Sequence, residues 1–124
     1  MSAQTVIPQL RMTDAARSQA FYVDQLGFSV DWQHQFEPGL PLFLQITREG
    51  QTLFLTAHAG DCEVGGAVYF WVPDVDACYA AFAANGVRAV KPVADTDYGV
   101  REFLIHDPDG NRLRFGTTLP GDSP

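Results

Sequence analysis

Apolar residues recur along this chain with two alternating periods. After Asp74, the residues Val75, Cys78, Tyr79 and Phe82 fall at i, i+3, i+4 and i+7, which is one face of a helix. Asp74 stands where an N-cap carboxylate would accept from the first turn, and Asn85-Gly86 where a helix would end. A first helix is predicted from about Asp14 to Leu26, capped by Thr13 and stopped at Gly27. Around the two helices, "VIPQLRM", "FSVDWQ", "PLFLQIT", "QTLFLTA", "AVYFWV", "VRAVKPV", "REFLIH" and "NRLRF" have the length and period of strands. Their order predicts an α+β fold of two tandem β-α-β-β-β units.

The two units read as copies. A shift of 60 positions lays "FLQITREGQTL" over "FLIHDPDGNRL", matching Phe43 with Phe103, Leu44 with Leu104, Gly50 with Gly110 and Leu53 with Leu113. The same shift sets Asp14 over Asp74 and, with one deletion, Gly27 over Gly86. Module 1 is expected over about 1–60 and module 2 over about 61–118, with 119–124 as a tail. At 124 residues the whole is expected to be one domain that buries its own core.

Within "HDPDGNRLRFG", residues 107 to 110 are turn chemistry: Pro108 presets φ and Gly110 accepts a positive φ. Beyond the turn, Leu113 and Phe115 alternate with Arg112 and Arg114. Arg114 is therefore expected to point away from the packed side of its strand.

Charge and cysteine content narrow the function classes. Fifteen acidic against eight basic residues give a formal charge of -7, which argues against nucleic acid and suits a cationic ligand. The two cysteines, Cys62 and Cys78, form no C-x-x-C pair, and "MSAQTVIPQL" has no charged-then-apolar leader. No apolar run approaches the ~18 residues of a membrane span. A reduced, cytoplasmic chain without a membrane partner is the expectation.

Two such units, with "FYVDQLGF" closing the first helix and "DPDGNRL" before the last strand, resemble the vicinal oxygen chelate superfamily of glyoxalases, extradiol dioxygenases and fosfomycin-resistance enzymes. The resemblance spans nearly the whole chain. It implies that the modules form a curved sheet around a cleft. In metal-dependent members, His, Glu or Gln ligands come from the first and last strands of each unit. Carried over by motif spacing, those positions fall at or near Ile7, Phe54, Ala67 and Arg114. Three of these side chains offer no lone pair and the fourth is a cation, so neither a metal nor another cofactor is expected. His34, His58 and His106 lie in a loop or at strand ends without metal-site spacing and read as solvated or structural.

Among members without metal, the chain most resembles the bleomycin-binding resistance proteins, through "VIPQLRMTD", "LFLTA", "VYFWV" and "YGVREFLIHDPDGNRLRF". The resemblance implies sequestration of a bleomycin-like or other cationic aromatic antibiotic. Stacking aromatics with nearby acids suit such a ligand. Trp32, Phe36 and Tyr98 are aromatics in polar, loop-like segments. The set of ligand-binding candidates is Trp32, Phe36, Phe54, Tyr69, Trp71, Tyr98, Glu102 and Arg114. Alternation puts Tyr69 and Trp71 on one strand face, leaving Trp71 open to core or cleft, and Phe54 faces the cleft if the ligand positions are assigned correctly. Asp95 and Asp97 read as solvated loop acids, and Arg101 and Glu102 as residues that each pair across strands. Two other functions stay open: a glyoxalase or dioxygenase-type metalloenzyme, disfavoured by the ligand positions, and a metal-independent enzyme using Tyr98 or His58 as acid or base. Pro8 cannot donate to a strand ladder. In the bleomycin-binding branch, a proline in the first strand accompanies exchange of that arm, implying a homodimer with residues 1 to 10 on the neighbouring subunit.

Overall fold

A computed structural model of the chain describes residues 4–35 and 37–120. It resolves into two compact units, Met1–Gly66 with Asp107–Asn111, and Ala67–His106 with Arg112–Pro124. The first unit carries β1 (Gln9–Arg11), β2 (Ser29–His34), β3 (Phe43–Arg48) and β4 (Gln51–Thr56) in the order β1-β4-β3-β2. The second carries β5 (Ala67–Trp71), β6 (Lys91–Asp95), β7 (Val100–His106) and β8 (Arg112–Thr118) in the order β5-β8-β7-β6. In each, a helix crosses over after the first strand, and an antiparallel meander returns the last strand parallel to the first. Two tandem βαβββ modules are thus present, with shorter outer strands than predicted: "VIPQLRM" contributes only Gln9–Arg11, and "VRAVKPV" forms a strand only from Lys91.

Both helices are capped by aspartate. Asp74 accepts from the Ala77 amide and starts α2 (Val75–Ala84), as its spacing predicts. In module 1 the cap is Asp14 rather than Thr13: its carboxylate accepts from the Arg17 amide and starts α1 (Ala15–Gln19). A carboxylate placed to reach the free amides of the first turn serves as the cap, and Thr13 instead donates to Asp109. Helix α1 continues as a π-helical segment, Ala20–Gln25, before Gly27 turns out at φ 85°.

The core lies on one face of each sheet. In the second unit, Phe82 of α2 meets Phe115 and Phe103 edge-on at 5.1 and 5.9 Å, while Phe70 stacks on Phe115 at 4.5 Å. Such ring pairs add roughly 0.5–1.5 kcal/mol each beyond the area they bury. Cys78 is buried on the same helix, and Tyr79 packs on Phe103. In the first unit Leu10, Leu44, Ile46, Leu53 and Leu55 are buried with Phe21, Tyr22, Leu26 and Phe28.

The two segments that carried the family resemblance meet in the first unit. Tyr22, from "FYVDQLGF", donates to the Asp107 carboxylate at 2.7 Å, and that carboxylate also accepts from the Asn111 amide side chain and from the backbone of Asp109 and Asn111. Asn111 in turn donates to the Arg11 carbonyl and accepts from the Gly66 amide. "DPDGN" is therefore a buried polar node as well as a turn. Burial and the adjoining carboxylate raise the Tyr22 phenol well above its ordinary range.

The internal repeat holds with one slip. Gln9 pairs with Phe54 as Tyr69 pairs with Arg114, both at the 60-residue offset. The strand before each last turn is offset by one residue fewer. Phe43 faces Thr56 as Glu102 faces Gly116, so Phe43 corresponds to Glu102 and Leu44 to Phe103. The β3–β4 turn has two residues, Glu49 and Gly50, between its last facing pair. Pro108, Asp109 and Gly110 fill the same place between the bonded Asp107 and Asn111. Because side chains alternate with period two, the extra residue exchanges inside and outside, so Phe103 is core and Phe43 is not.

Candidate functional site

Opposite its core, each sheet has an open face, and the candidates among the described residues lie there. On the first, Trp32 stacks on Phe43 at 5.9 Å and 10°, and Phe54 tilts against both at 5.9 and 5.1 Å. Trp32 lies within β2, as the strand reading of "FSVDWQ" predicts, and not in a loop. A β-bulge between Val30 and Trp32 turns Asp31 to the same face, where it accepts from Gln45 and Thr47. Trp32 and Phe43 line a groove of about 330 Å³ with His34, His58 and Asp61.

The second open face is built around one carboxylate. Glu102 accepts from the Tyr69 hydroxyl at 2.8 Å and the Tyr98 hydroxyl at 2.7 Å, and the Arg114 Nε lies 3.6 Å away. Tyr69 comes from β5, Tyr98 from the β6–β7 turn, Glu102 from β7 and Arg114 from β8. Trp71 is tilted against Tyr69 at 5.0 Å and is exposed, so the alternation that left it between core and cleft resolves outward. Burial, then the Glu102 hydrogen bond, raises the Tyr69 phenol; for Tyr98 the Glu102 bond is the larger cause. Both phenols are thereby hydrogen-bond donors at neutral pH and poor bases. Gly116, abreast of Glu102, leaves space for Tyr69: a Cβ there would stand 2.2 Å from its hydroxyl oxygen.

Of the eight candidates, the structure groups Trp32 with Phe54 in the first unit, and Tyr69, Trp71, Tyr98, Glu102 and Arg114 in the second. Phe36 lies outside the described residues. Phe43 and Gly116 were missed: the slipped alignment matched Phe43 to a core residue, and a lone glycine in a strand carries no signal of what passes beside it. One acid is corrected: Asp95 lies on β6 rather than in a loop, and it pairs across strands with Arg101 at 2.9 Å, while Arg101 also forks onto Asp76 of α2 and Glu102 pairs across strands with Arg114.

The family's metal requires lone pairs that these positions lack. Abreast of Phe54 stands Gln9, and abreast of Arg114 stands Tyr69, while Ile7 precedes β1 and Ala67 pairs with Arg112. The only carboxylate among the second group is Glu102, already bound to two hydroxyls and a guanidinium. Among the described residues no three His, Cys, Asp or Glu are placed to share an ion. The donor set does not fit the metal chemistry of the enzymes in this superfamily.

Paired βαβββ modules with open, aromatic sheet faces define a vicinal-oxygen-chelate architecture. A family described as glyoxalase superfamily protein matches residues 1–122, and the chain belongs to it. Solved structures share the fold. TioX from Micromonospora sp. ML1 is 24% identical with a TM-score of 0.77, over 94% of this chain and 100% of that one. TnmS3, an antibiotic binding protein from Streptomyces sp. CB03234, is 21% identical with a TM-score of 0.72, over 95% and 99%. A glyoxalase/bleomycin resistance protein/dioxygenase from Nocardioides is 20% identical with a TM-score of 0.70, over 100% and 90%. No curated protein matches the sequence.

Proposed function

We propose that this chain is a metal-free binding protein that sequesters a bleomycin-like or other cationic aromatic antibiotic in the cytoplasm and so confers resistance. One observation carries the reading: both tryptophans are spent on open sheet faces, Trp32 at 44% and Trp71 at 54% exposure, each beside a second aromatic ring. Large aromatics left in water beside one another suit a planar ligand better than they suit the fold. Asp31 beside Trp32 gives a cationic group a counter-charge. Similarity in fold to an antibiotic binding protein supports the same reading. Among the described residues no helix is long and apolar enough to cross a membrane.

Titration with copper-free bleomycin, followed by calorimetry and tryptophan emission, tests the proposal. Quenching with a stoichiometric heat is expected, and Trp32→Ala should weaken binding. Absence of both heat and quenching would overturn it in favour of a metal-independent enzyme.

The proposal includes a homodimer with exchanged N-terminal arms. In the single chain, Gln9–Arg11 pair with Phe54–Thr56, the Pro8 carbonyl accepts from Phe54, and Gln4 bonds both backbone groups of Thr52. An exchanged arm would make the same bonds to its neighbour. Light scattering should give about twice 13.6 kDa, and deleting residues 1 to 10 should abolish dimer and binding together. A monomer that still binds ligand would refute the exchange.

A further inference from the structure

We propose that the groove on the second unit's open face is an anion subsite, formed by Arg112 and Arg114, that selects a planar aromatic ligand bearing a carboxylate. The inference uses the face named above as ligand-binding but does not depend on a cationic antibiotic. The two guanidiniums stand two residues apart on β8 and so share one face. They line a groove of about 500 Å³ together with Ala67, Tyr69 and Leu104.

The chain is acidic by seven charges, yet no acid is among the described residues that line this groove. Glu102 is bound by two hydroxyls and by the Nε of Arg114, which leaves the terminal nitrogens of Arg114 without an acceptor among the described residues. Arg112 has no acidic partner among them at all. Its strand neighbours are Ala67, whose methyl leaves the space beside it open, and His106. Glu102 thus holds Arg114 by one edge and leaves its other edge free, the arrangement that receives a carboxylate in a fork. The Tyr69–Trp71 pair, next along β5, gives a flat apolar body somewhere to lie.

The test compares naphthalene-2-carboxylate with the isosteric naphthalene-2-carboxamide, by calorimetry and tryptophan emission, on the intact chain and on Arg112→Gln. Arg112 is exposed, so the substitution leaves the core untouched. The carboxylate is expected to bind at least tenfold tighter than the amide, and Arg112→Gln to remove about tenfold of carboxylate affinity while leaving the amide unchanged. Inorganic phosphate should compete with the carboxylate only. Equal affinity for the two probes, no measurable binding of either, or an Arg112→Gln effect equal on both would overturn the subsite. If bleomycin fails to bind while the carboxylate binds through Arg112, the antibiotic reading falls and the subsite stands; the opposite pair of results removes the subsite alone.

Discussion

Replacing Gly116 by alanine should dislodge Tyr69. The added Cβ would stand 2.2 Å from the Tyr69 oxygen, 2.9 Å from a Val100 methyl and 3.0 Å from Tyr69 Cζ. The first contact is roughly 1 Å inside ordinary heavy-atom separation. Tyr69 is the partner free to move, because its ring is 40% exposed whereas Val100 is buried. A displacement of that size takes its 2.8 Å bond to Glu102 beyond hydrogen-bond range. A hydrogen bond to a charged group is worth about 1.5–3 kcal/mol, and solvent around the ring reduces that to about 1. Crowding against Val100 adds about 1–2 kcal/mol. The sum, about 2–3 kcal/mol, corresponds to a fall of about 8–12 °C in Tm for a domain of this size. Thermal unfolding measures the loss, Trp71 emission reports the ring leaving its neighbour, and spectrophotometric titration should show the Tyr69 phenol returning toward 10. In a Tyr69→Phe background the same glycine substitution should cost about 1 kcal/mol less, since the colliding oxygen is gone. Equal costs in the two backgrounds would refute the reasoning.

Alkaline stability follows from the phenols. Tyr22, Tyr69 and Tyr98 hold their protons above the ordinary value in the folded chain, so as pH rises past about 10 the unfolded chain releases protons first and stability falls. Urea unfolding between pH 8 and 11 should show that decline, shallower in Tyr69→Phe; a flat profile would contradict it. Asp107→Ala removes the acceptor of the Tyr22 hydroxyl, of one Asn111 side-chain N–H and of the backbone amides of Asp109 and Asn111, and should cost about 3 kcal/mol or more. A loss under 1 kcal/mol in urea unfolding would show that water replaces the carboxylate.

The fold was legible because both of its signals are periodic: the helix face from Val75 to Phe82 and the alternation through Arg112–Phe115 each repeat often enough to outweigh single exceptions. Arg114 pointing away from the core, and Trp71 sharing a face with Tyr69, follow from alternation alone. What alternation cannot supply is phase across an insertion. Matching glycine with glycine in the two turns was sound, since Gly50 and Gly110 adopt φ 79° and 78°, but the residue gained before Gly110 moved every upstream partner by one. Phe43 was lost to the candidate site for that reason. The Glu102 cluster was half visible: its members were named singly, but their convergence depends on four separate segments and on a glycine that makes way for a hydroxyl.

The buried Tyr22–Asp107 node has a consequence for the order in which this protein can be made. Synthesis delivers residues from the N-terminus at about 5–20 per second, so the first module's strands and helix are all released before Asp107 exists. Until then the Tyr22 hydroxyl, the Arg11 carbonyl and the Gly66 amide have none of their partners from this loop. The module therefore closes its interior only when the turn between the last two strands arrives, a contact across 85 residues. A chain stopped after Gly66 should behave as an incomplete unit in spite of carrying a whole copy of the repeat, and a split of the gene at the apparent module boundary would separate the tyrosine from the loop that satisfies it.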